Sequence, residues 1–141
     1  MAVKRITPEE ARDLMDKDGY VYLDVRSAPE FAAGHPTGAY NVPLLNMGPG
    51  GMVDNAEFVA VVEKNFPRDA RLVVGCKAGG RSARAVALLE RAGYTNLVDQ
   101  KNGYDGTPLP TGGVEPGWRP KGLPTSTEAA PGRAYDALKG R

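Results

Sequence analysis

The chain has 141 residues, of which 25% are charged and 41% are hydrophobic, and its formal net charge is +1. This length and balance are typical of one globular domain with its own core. The small net charge gives no broad positive field for nucleic acid or an anionic membrane, and no apolar run approaches the roughly 20 residues that span a bilayer. The first residues lack the apolar core of a signal peptide. We therefore expect a cytoplasmic protein without a nucleic-acid or membrane partner.

The chain contains a single cysteine, Cys76, and a single histidine, His35. No disulfide can form within it, which fits a reducing cytoplasm. A tetrahedral zinc site needs more cysteine and histidine ligands than these two, so we expect neither a metal nor another cofactor. We expect a structural role for His35, because a lone histidine more often hydrogen-bonds a loop than takes part in chemistry.

The first elements are marked by two capping boxes. Thr7-Pro8-Glu9-Glu10 predicts a helix that ends at Gly19, and Ser27-Ala28-Pro29-Glu30 predicts a second, shorter helix. Residues 20–25 between them have the pattern of a buried strand. A short strand over residues 39–42 follows the second helix.

The middle of the chain alternates strands with helices. Residues 46–53 predict a Gly-rich loop, and residues 58–66 predict a helix. A strand over 71–75 precedes a strong amphipathic helix that ends at Gly93, and 96–99 predicts the last short strand. This alternation predicts βα units and a mainly parallel sheet. Reactive groups in such folds lie at the carboxyl ends of strands.

The composition changes after residue 102. The 39 residues that follow hold 8 of the 18 glycines and 6 of the 12 prolines. We predict an irregular loop over 103–117 and anchoring of the chain to the core by Trp118 and Leu123. Residues 126–141 are expected to form a loose tail, in which 134–138 can form one or two helical turns.

The most informative segment follows the strand that ends at Gly75. It carries Cys76 into a short loop of glycines and basic residues, Cys76-Lys77-Ala78-Gly79-Gly80-Arg81-Ser82. Loop amides and the dipole of the next helix favour negative charge at this position. Lys77, Arg81 and Arg84 add positive charge. The pattern therefore indicates a reactive thiolate rather than an inert core cysteine.

Four motifs, in this order, closely resemble the single-domain, thiosulfate-type sulfurtransferases of the rhodanese family. They are Tyr22-Leu23-Asp24-Val25-Arg26, the segment from Pro29 to Pro43, the loop from Cys76 to Ser82, and the segment from Trp118 to Pro124. The resemblance covers about residues 5–125. It implies a rhodanese-like α/β domain over residues 1–125, with a five-stranded parallel core sheet and helices on both faces.

The resemblance also implies an activity and a site. Sulfane sulfur would pass from a small anionic donor, such as thiosulfate, to cyanide or a thiol through a persulfide on Cys76. The implied substrate-binding residues are those of the loop, namely Lys77, Ala78, Gly79, Gly80, Arg81 and Ser82. Because no second cysteine can resolve the persulfide, we expect an external thiol acceptor, either a low-molecular-weight thiol or a thioredoxin-like protein.

Two other functions remain open. Phosphatases and arsenate reductases of related fold use a Cys-x5-Arg loop, usually with histidine before the cysteine. Here the spacing from Cys76 to Arg81 is one residue shorter and Gly75 precedes the cysteine, so this function ranks lower. The second alternative is a persulfide carrier or protein-interaction domain with little small-molecule turnover.

Two features beside the motifs carry separate expectations. Asn102-Gly103 stands where the family usually has two glycines after its last core strand, which would tilt the chain path below the site. Asp24 and Arg26 are expected to form a salt bridge or to anchor a loop, for example through a pair between Arg26 and Glu30.

Overall fold

The computed structural model describes residues 3–48, 50–77, 80–128 and 132–140, except for the side chains of residues 47 and 48. The expected loop residues Ala78 and Gly79 lie outside the described residues. The strands in chain order are β1 (Lys4–Ile6), β2 (Val21–Asp24), β3 (His35–Pro36), β4 (Tyr40–Asn41), β5 (Leu45–Gly48), β6 (Gly51–Asp54), β7 (Arg71–Gly75), β8 (Asn96–Gln100), β9 (Gly106–Pro108), β10 (Val114–Pro116) and β11 (Thr125–Ser126). The helices are α1 (Pro8–Lys17), α2 (Ala28–Ala33), α3 (Phe58–Asn65), α4 (Gly80–Arg91) and α5 (Tyr135–Lys139).

The central sheet has five strands in the order β1-β8-β7-β2-β4. Every neighbouring pair in it is parallel, so the predicted α/β fold with a parallel sheet is confirmed. The strand β7 lies in the middle of this order, and Cys76 is the next residue after it. The cysteine therefore lies at the carboxyl end of the central strand, where ligands bind in folds of this class.

The two faces of the sheet are covered by different helices. Along β7, Leu72 and Val74 point into one core together with buried residues of α3, α4 and α5. Val73 points into the other core, which it shares with buried residues of α1 and α2. This alternation is the period-2 rule for a strand buried on both sides, and it confirms helices on both faces.

Both predicted capping boxes are present. Thr7 caps α1 and Glu10 returns a hydrogen bond to its amide, while Ser27 and Glu30 do the same for α2. These interactions satisfy amide donors that a helix start leaves open. Glu30 also accepts a hydrogen bond from Arg81, 51 positions further along the chain.

The first strand, β1, was not predicted. It is three residues long, and Lys4 and Arg5 are exposed while only Ile6 is buried. Such a segment has no apolar alternation to detect. Charged residues of this kind are common on edge strands, where they discourage pairing with another chain.

Two segments that were expected to be loops form hairpins. In the segment expected as a Gly-rich loop, β5 and β6 pair antiparallel, although β6 is exposed along its length. In the expected irregular loop 103–117, β9 and β10 pair antiparallel around Gly112 and Gly113, whose φ angles are +93° and +80°. The prediction was wrong here because the glycines that indicated loops also occur at the ends of these paired strands and in the turn between β9 and β10.

The expectation of a loose tail is wrong for residues 132–140. Tyr135 and Leu138 of α5 are buried in the main core. Asn65 donates to the carbonyl of Leu138 at 3.0 Å, and the amide of Asn41 donates to the carbonyl of Arg133 at 2.9 Å. The two buried apolar residues of this short segment provide enough burial to fix it on the domain. The predicted anchoring by Trp118 and Leu123 is confirmed, since both pack in the second core.

Shortening Leu138 tests this docked segment. Leu138→Ala should lower the free energy of unfolding by about 2–3 kcal/mol, at the low end for a buried leucine because a terminal helix can shift to fill the cavity. Urea denaturation of the variant and of the exposed control Lys139→Ala measures the difference. The control should stay within about 0.5 kcal/mol of the parent chain. Equal small losses in both variants would contradict the buried position of α5.

Among the residues that the structure describes, no helix has the length and apolar character needed to cross a membrane.

Candidate active site

The sulfur of Cys76 is held at the junction of β7 and α4. Cys76 is 1% exposed, and its Sγ lies 3.6 Å from the Oγ of Ser82, with the thiol donating. Ser82 is fully buried in the first turn of α4. The first turn of α4 therefore contacts the sulfur of Cys76.

The start of the loop is fixed by the segment after β8. The amides of Tyr104 and Asp105 donate to the carbonyls of Cys76 and Lys77 at 2.7 and 3.0 Å. Gly103 has a φ of +64°, and a Cβ there would lie 2.5 Å from the carbonyl oxygens of Cys76 and Lys77. The carbonyls of Cys76 and Lys77 thus accept hydrogen bonds from a segment outside the loop. This segment can approach so closely only because residue 103 is a glycine.

Asn102 connects this segment to the hairpin of β9 and β10. It is buried, and it donates to Glu115 at 2.9 Å while accepting from the hydroxyl of Thr107 at 3.3 Å. Asn102, at the position where the resemblance leads us to expect glycine, therefore fastens the β9–β10 hairpin beside the site.

A buried tyrosine lies beneath the cysteine. The hydroxyl of Tyr22 donates to Gln100 at 2.8 Å, and Gln100 donates to the carbonyl of Gly103 at 3.0 Å. Burial raises the pKa of Tyr22 well above its ordinary value, and Asp24 and Cys76 add to that rise, so it stays a neutral donor. A Cβ on Gly75 would overlap the Tyr22 hydroxyl. A histidine before the cysteine, usual in the related phosphatases, does not fit here.

Asp24 and Arg26 form the expected salt bridge, but with each other rather than with Glu30. Two nitrogens of Arg26 contact the Asp24 carboxylate, the shortest at 2.8 Å, and both residues are at most 4% exposed. Arg26 also donates to the carbonyl of Gly34 at 2.6 Å and lies 4.3 Å from the ring centre of Tyr104. The pair therefore links β2 to the turn after α2 and to the segment that supports the loop.

Arg81 is paired with Glu30 across the site. Nη1 and Nη2 of Arg81 donate to the two carboxylate oxygens at 2.7 and 3.0 Å. Burial alone would raise the pKa of Glu30, but hydrogen bonds from Arg81 and Ser27 lower that pKa to about 2. The same contact raises the pKa of Arg81. The arginine that sequence reasoning assigned to an incoming anion is thus engaged by a carboxylate of the chain.

The other expected loop residues occupy more open positions. Lys77 and Gly80 are exposed, and among the described residues no carboxylate lies within salt-bridge distance of Lys77. An open cavity of about 270 Å³ lies beside the loop. Its wall includes Arg26, Glu30, Lys77, Tyr104, Asp105 and Arg119. The buried sulfur of Cys76 is not part of that wall.

Sequence reasoning missed one charged residue near the cysteine. Asp99 of β8 is 1% exposed and accepts from the Nε of Arg5 at 3.0 Å. Burial raises the pKa of Asp99, and hydrogen bonding from Ser82 and the charge of Arg5 limit that rise. The available signal was an acidic residue directly after the apolar pair Leu97-Val98 of a predicted strand.

His35 has the structural role that was expected. Its ring stacks on Phe31 with centroids 3.8 Å apart, and Nδ1 lies 2.7 Å from the carbonyl of Phe31. Within the described part of the chain, no cluster of three or more metal-ligating side chains occurs.

The comparison with protein families agrees with this arrangement. The model of the family described as Rhodanese-like domain matches residues 7–107. The chain belongs to this family. The matched region includes four of the five strands of the parallel sheet, the Cys76 loop and the segment that supports it, so the rhodanese-like domain is the part of the fold that builds the site.

Similar proteins include curated relatives and a solved structure. Thiosulfate sulfurtransferase 16, chloroplastic, from Arabidopsis thaliana is 40% identical over 107 residues, which cover 76% of this chain and 80% of the relative. Rhodanese-like domain-containing protein 15, chloroplastic, from the same plant is 42% identical over 94 residues, or 67% of this chain and 51% of the relative. The match thus spans only about half the length of that second relative. The structure of Rv0390 from M. tuberculosis has a TM-score of 0.75 at 27% identity, covering 91% of this chain and 100% of that one.

Proposed function

We propose that this protein is a sulfurtransferase that moves a sulfane sulfur through a persulfide on Cys76. The observation that carries the proposal is the position of this thiol. It lies at the carboxyl end of the central parallel strand, with Ser82 of the next helix in contact with its sulfur. Family membership and the relative named as a thiosulfate sulfurtransferase support the same chemistry.

The reaction has two displacement steps. The Cys76 thiolate attacks the outer sulfur of thiosulfate, a new S–S bond forms, and the donor's own S–S bond breaks as sulfite leaves with the electron pair. Cyanide or a thiolate then attacks the outer sulfur of the persulfide, and the Cys76 thiolate leaves. Each step exchanges one bond to sulfur for another, so neither requires an oxidant or a general base beyond an ionised thiol.

The surroundings of the sulfur suit these steps. The Ser82 hydroxyl lies in hydrogen-bond contact with Sγ, and the start of α4 favours negative charge near its amides. Lys77, on the wall of the adjacent cavity, is placed to attract an anionic donor. The predicted substrate-binding role of the whole loop, Ala78 and Gly79 included, is part of the proposal.

The phosphatase alternative finds less support. The Cys-to-Arg loop is one residue shorter than those enzymes use, and Tyr22 leaves no room for a side chain at position 75. Aryl phosphate and arsenate nevertheless belong in the test, since turnover of either without sulfur loading would favour that class.

The acceptor is proposed from the solitary cysteine. With one cysteine in the chain, the persulfide can be discharged only by an external molecule, either a low-molecular-weight thiol or a thioredoxin-like protein in the cytoplasm. Fast transfer to a protein thiol, combined with slow turnover of small donors, would identify the carrier form of this function.

Intact-mass measurement tests the proposal directly. Incubation with thiosulfate, polysulfide or an organic persulfide should add the mass of one sulfur atom to the protein, and cyanide should remove it as thiocyanate. Cys76→Ser should gain no sulfur under the same conditions. A wild-type chain that gains no sulfur from any of these donors would show that the proposal is wrong.

A further inference from the structure

The Arg81 guanidinium is already paired with a carboxylate of the same chain. Both of its terminal nitrogens donate to Glu30, at 2.7 and 3.0 Å, in the two-point geometry that arginine also uses for bound oxyanions. The side chains are 17% and 26% exposed, so the pair is well shielded from water. A donor that needs this guanidinium must compete with Glu30.

Arg81 belongs to the first turn of α4, beside the reactive sulfur. It is next in the chain to Ser82, whose Oγ lies 3.6 Å from the Sγ of Cys76, and the charge of Cys76 contributes to the raised pKa of Arg81. In thiosulfate the sulfonate group is one bond from the sulfur under attack. Two sulfonate oxygens present the same pair of acceptors as a carboxylate.

Contacts other than the one with Arg81 also hold the Glu30 carboxylate in place. Its Oε1 also accepts from the amide of Ser27 at 3.0 Å and from the Ser27 hydroxyl at 2.9 Å. These are the capping contacts of α2. With a pKa of about 2, the carboxylate stays ionised throughout the neutral pH range. Displacing it from Arg81 therefore leaves a charged group without its main partner.

The charges around the cavity also give little attraction to an oxyanion donor. Arg26 is paired with Asp24, and Arg119 with Asp105. Of the cations lining the cavity, Lys77 is the one without a carboxylate partner among the described residues. An oxyanion donor that enters the cavity thus meets three lining cations, of which two are paired with carboxylates of the described residues.

We propose that Glu30 is a specificity-determining residue that competes with oxyanion-bearing donors for Arg81. It weakens the binding of thiosulfate relative to persulfide donors whose far end is uncharged. This inference rests on the proposed sulfur transfer at Cys76 and assigns the preferred donor class of that site.

Steady-state kinetics of Glu30→Gln with two donors provide the test. Glutamine keeps the capping contacts, because Ser-x-x-Gln also forms a capping box, but it removes the charge that holds Arg81. For thiosulfate, KM should fall about tenfold with kcat little changed. For 2-hydroxyethyl hydropersulfide, which transfers its terminal sulfur and leaves as the thiolate, both constants should stay within about twofold of the wild-type values.

The matched control is Asp54→Asn. Asp54 pairs with the exposed Arg84, one turn further along α4, at 3.3 Å. This variant makes the same change in net charge without touching Arg81, so KM for both donors should stay near the wild-type value. In an Arg81→Ala background, Glu30→Gln should no longer lower KM for thiosulfate.

Four kinetic results would overturn the proposal. Three of them are an unchanged or higher KM for thiosulfate in Glu30→Gln, an equal fall in KM for both donors, and the same fall in Asp54→Asn. A loss of turnover with both donors would also overturn it, because it would make the pair a structural link that the site requires.

Sulfite binding separates this inference from the proposed function. If wild-type protein gains no sulfur from any donor, the sulfurtransferase proposal fails, and competition for Arg81 is then measured without turnover. By calorimetry, Cys76→Ser carrying Glu30→Gln should bind sulfite about tenfold more tightly than Cys76→Ser alone. Equal affinities would overturn the competition itself.

Discussion

Gly103→Ala should destabilise the domain by about 4 kcal/mol or more and slow sulfur loading of Cys76 by about a hundredfold. The φ of +64° at Gly103 costs an alanine about 1 kcal/mol. The larger cost comes from the new Cβ, which would lie 2.5 Å from backbone atoms of Cys76 and Lys77. Backbone cannot swing aside as a side chain does, so the segment that holds the loop must move. Urea denaturation and time-resolved intact mass measure the two effects.

Gly112→Ala is the matched control for this substitution. Gly112 also has a left-handed φ, +93°, but nothing lies within 4 Å of its Cβ position at the tip of the β9–β10 hairpin. Its cost should be only the conformational one, about 1 kcal/mol, with sulfur loading unaffected. Similar losses of stability in the two variants would show that the close approach at Gly103 is not a constraint.

Asp24→Asn should lower the free energy of unfolding by about 3–5 kcal/mol, because it leaves a buried guanidinium without its counter-charge. Arg26 is 4% exposed, and its other direct contacts within the described part of the chain are with the Gly34 carbonyl and the face of Tyr104. Neither is an anion. The shift of the denaturant midpoint measures the change in stability, provided that the slope of unfolding free energy against denaturant concentration is unchanged.

Two further variants test the contribution of the buried Asp24–Arg26 pair to stability. Asp16→Asn removes a carboxylate from an exposed pair with Arg12 and should cost no more than about 0.5 kcal/mol. Adding Arg26→Met to Asp24→Asn should recover part of the loss, since removing both charges costs less than stranding one. If Asp24→Asn is as mild as Asp16→Asn, the buried carboxylate is not what stabilises Arg26.

The elements that could be predicted from the sequence are those specified by neighbouring residues. The capping boxes at Thr7 and Ser27 lie within four residues of chain, and the structure has both. The helix after Cys76 was clear from its apolar spacing, and the strand before it from a short buried run. The position of the reactive thiol followed from these local patterns, because parallel sheets carry their sites at carboxyl strand ends.

The missed features depend on residues far apart in the chain. Arg81 and Glu30 are 51 positions apart, and Arg5 and Asp99 are 94 apart. No local pattern distinguishes an arginine that is free to bind an anion from one already paired. The β5–β6 hairpin was missed for a reason that adds to its glycines, since β6 is exposed throughout and has no apolar face to reveal it.

The packing of residues 132–140 on the domain also affects the tendency of the domain to associate with other copies of itself. The strand β4 is the last in the sheet order, and an open edge of this kind is a template for a strand from another molecule. The Arg133 carbonyl accepts from the Asn41 amide, and α5 packs in the core next to that edge. The segment thus acts as a cover against edge-to-edge aggregation, and a chain cut before residue 132 would lose solubility as well as stability.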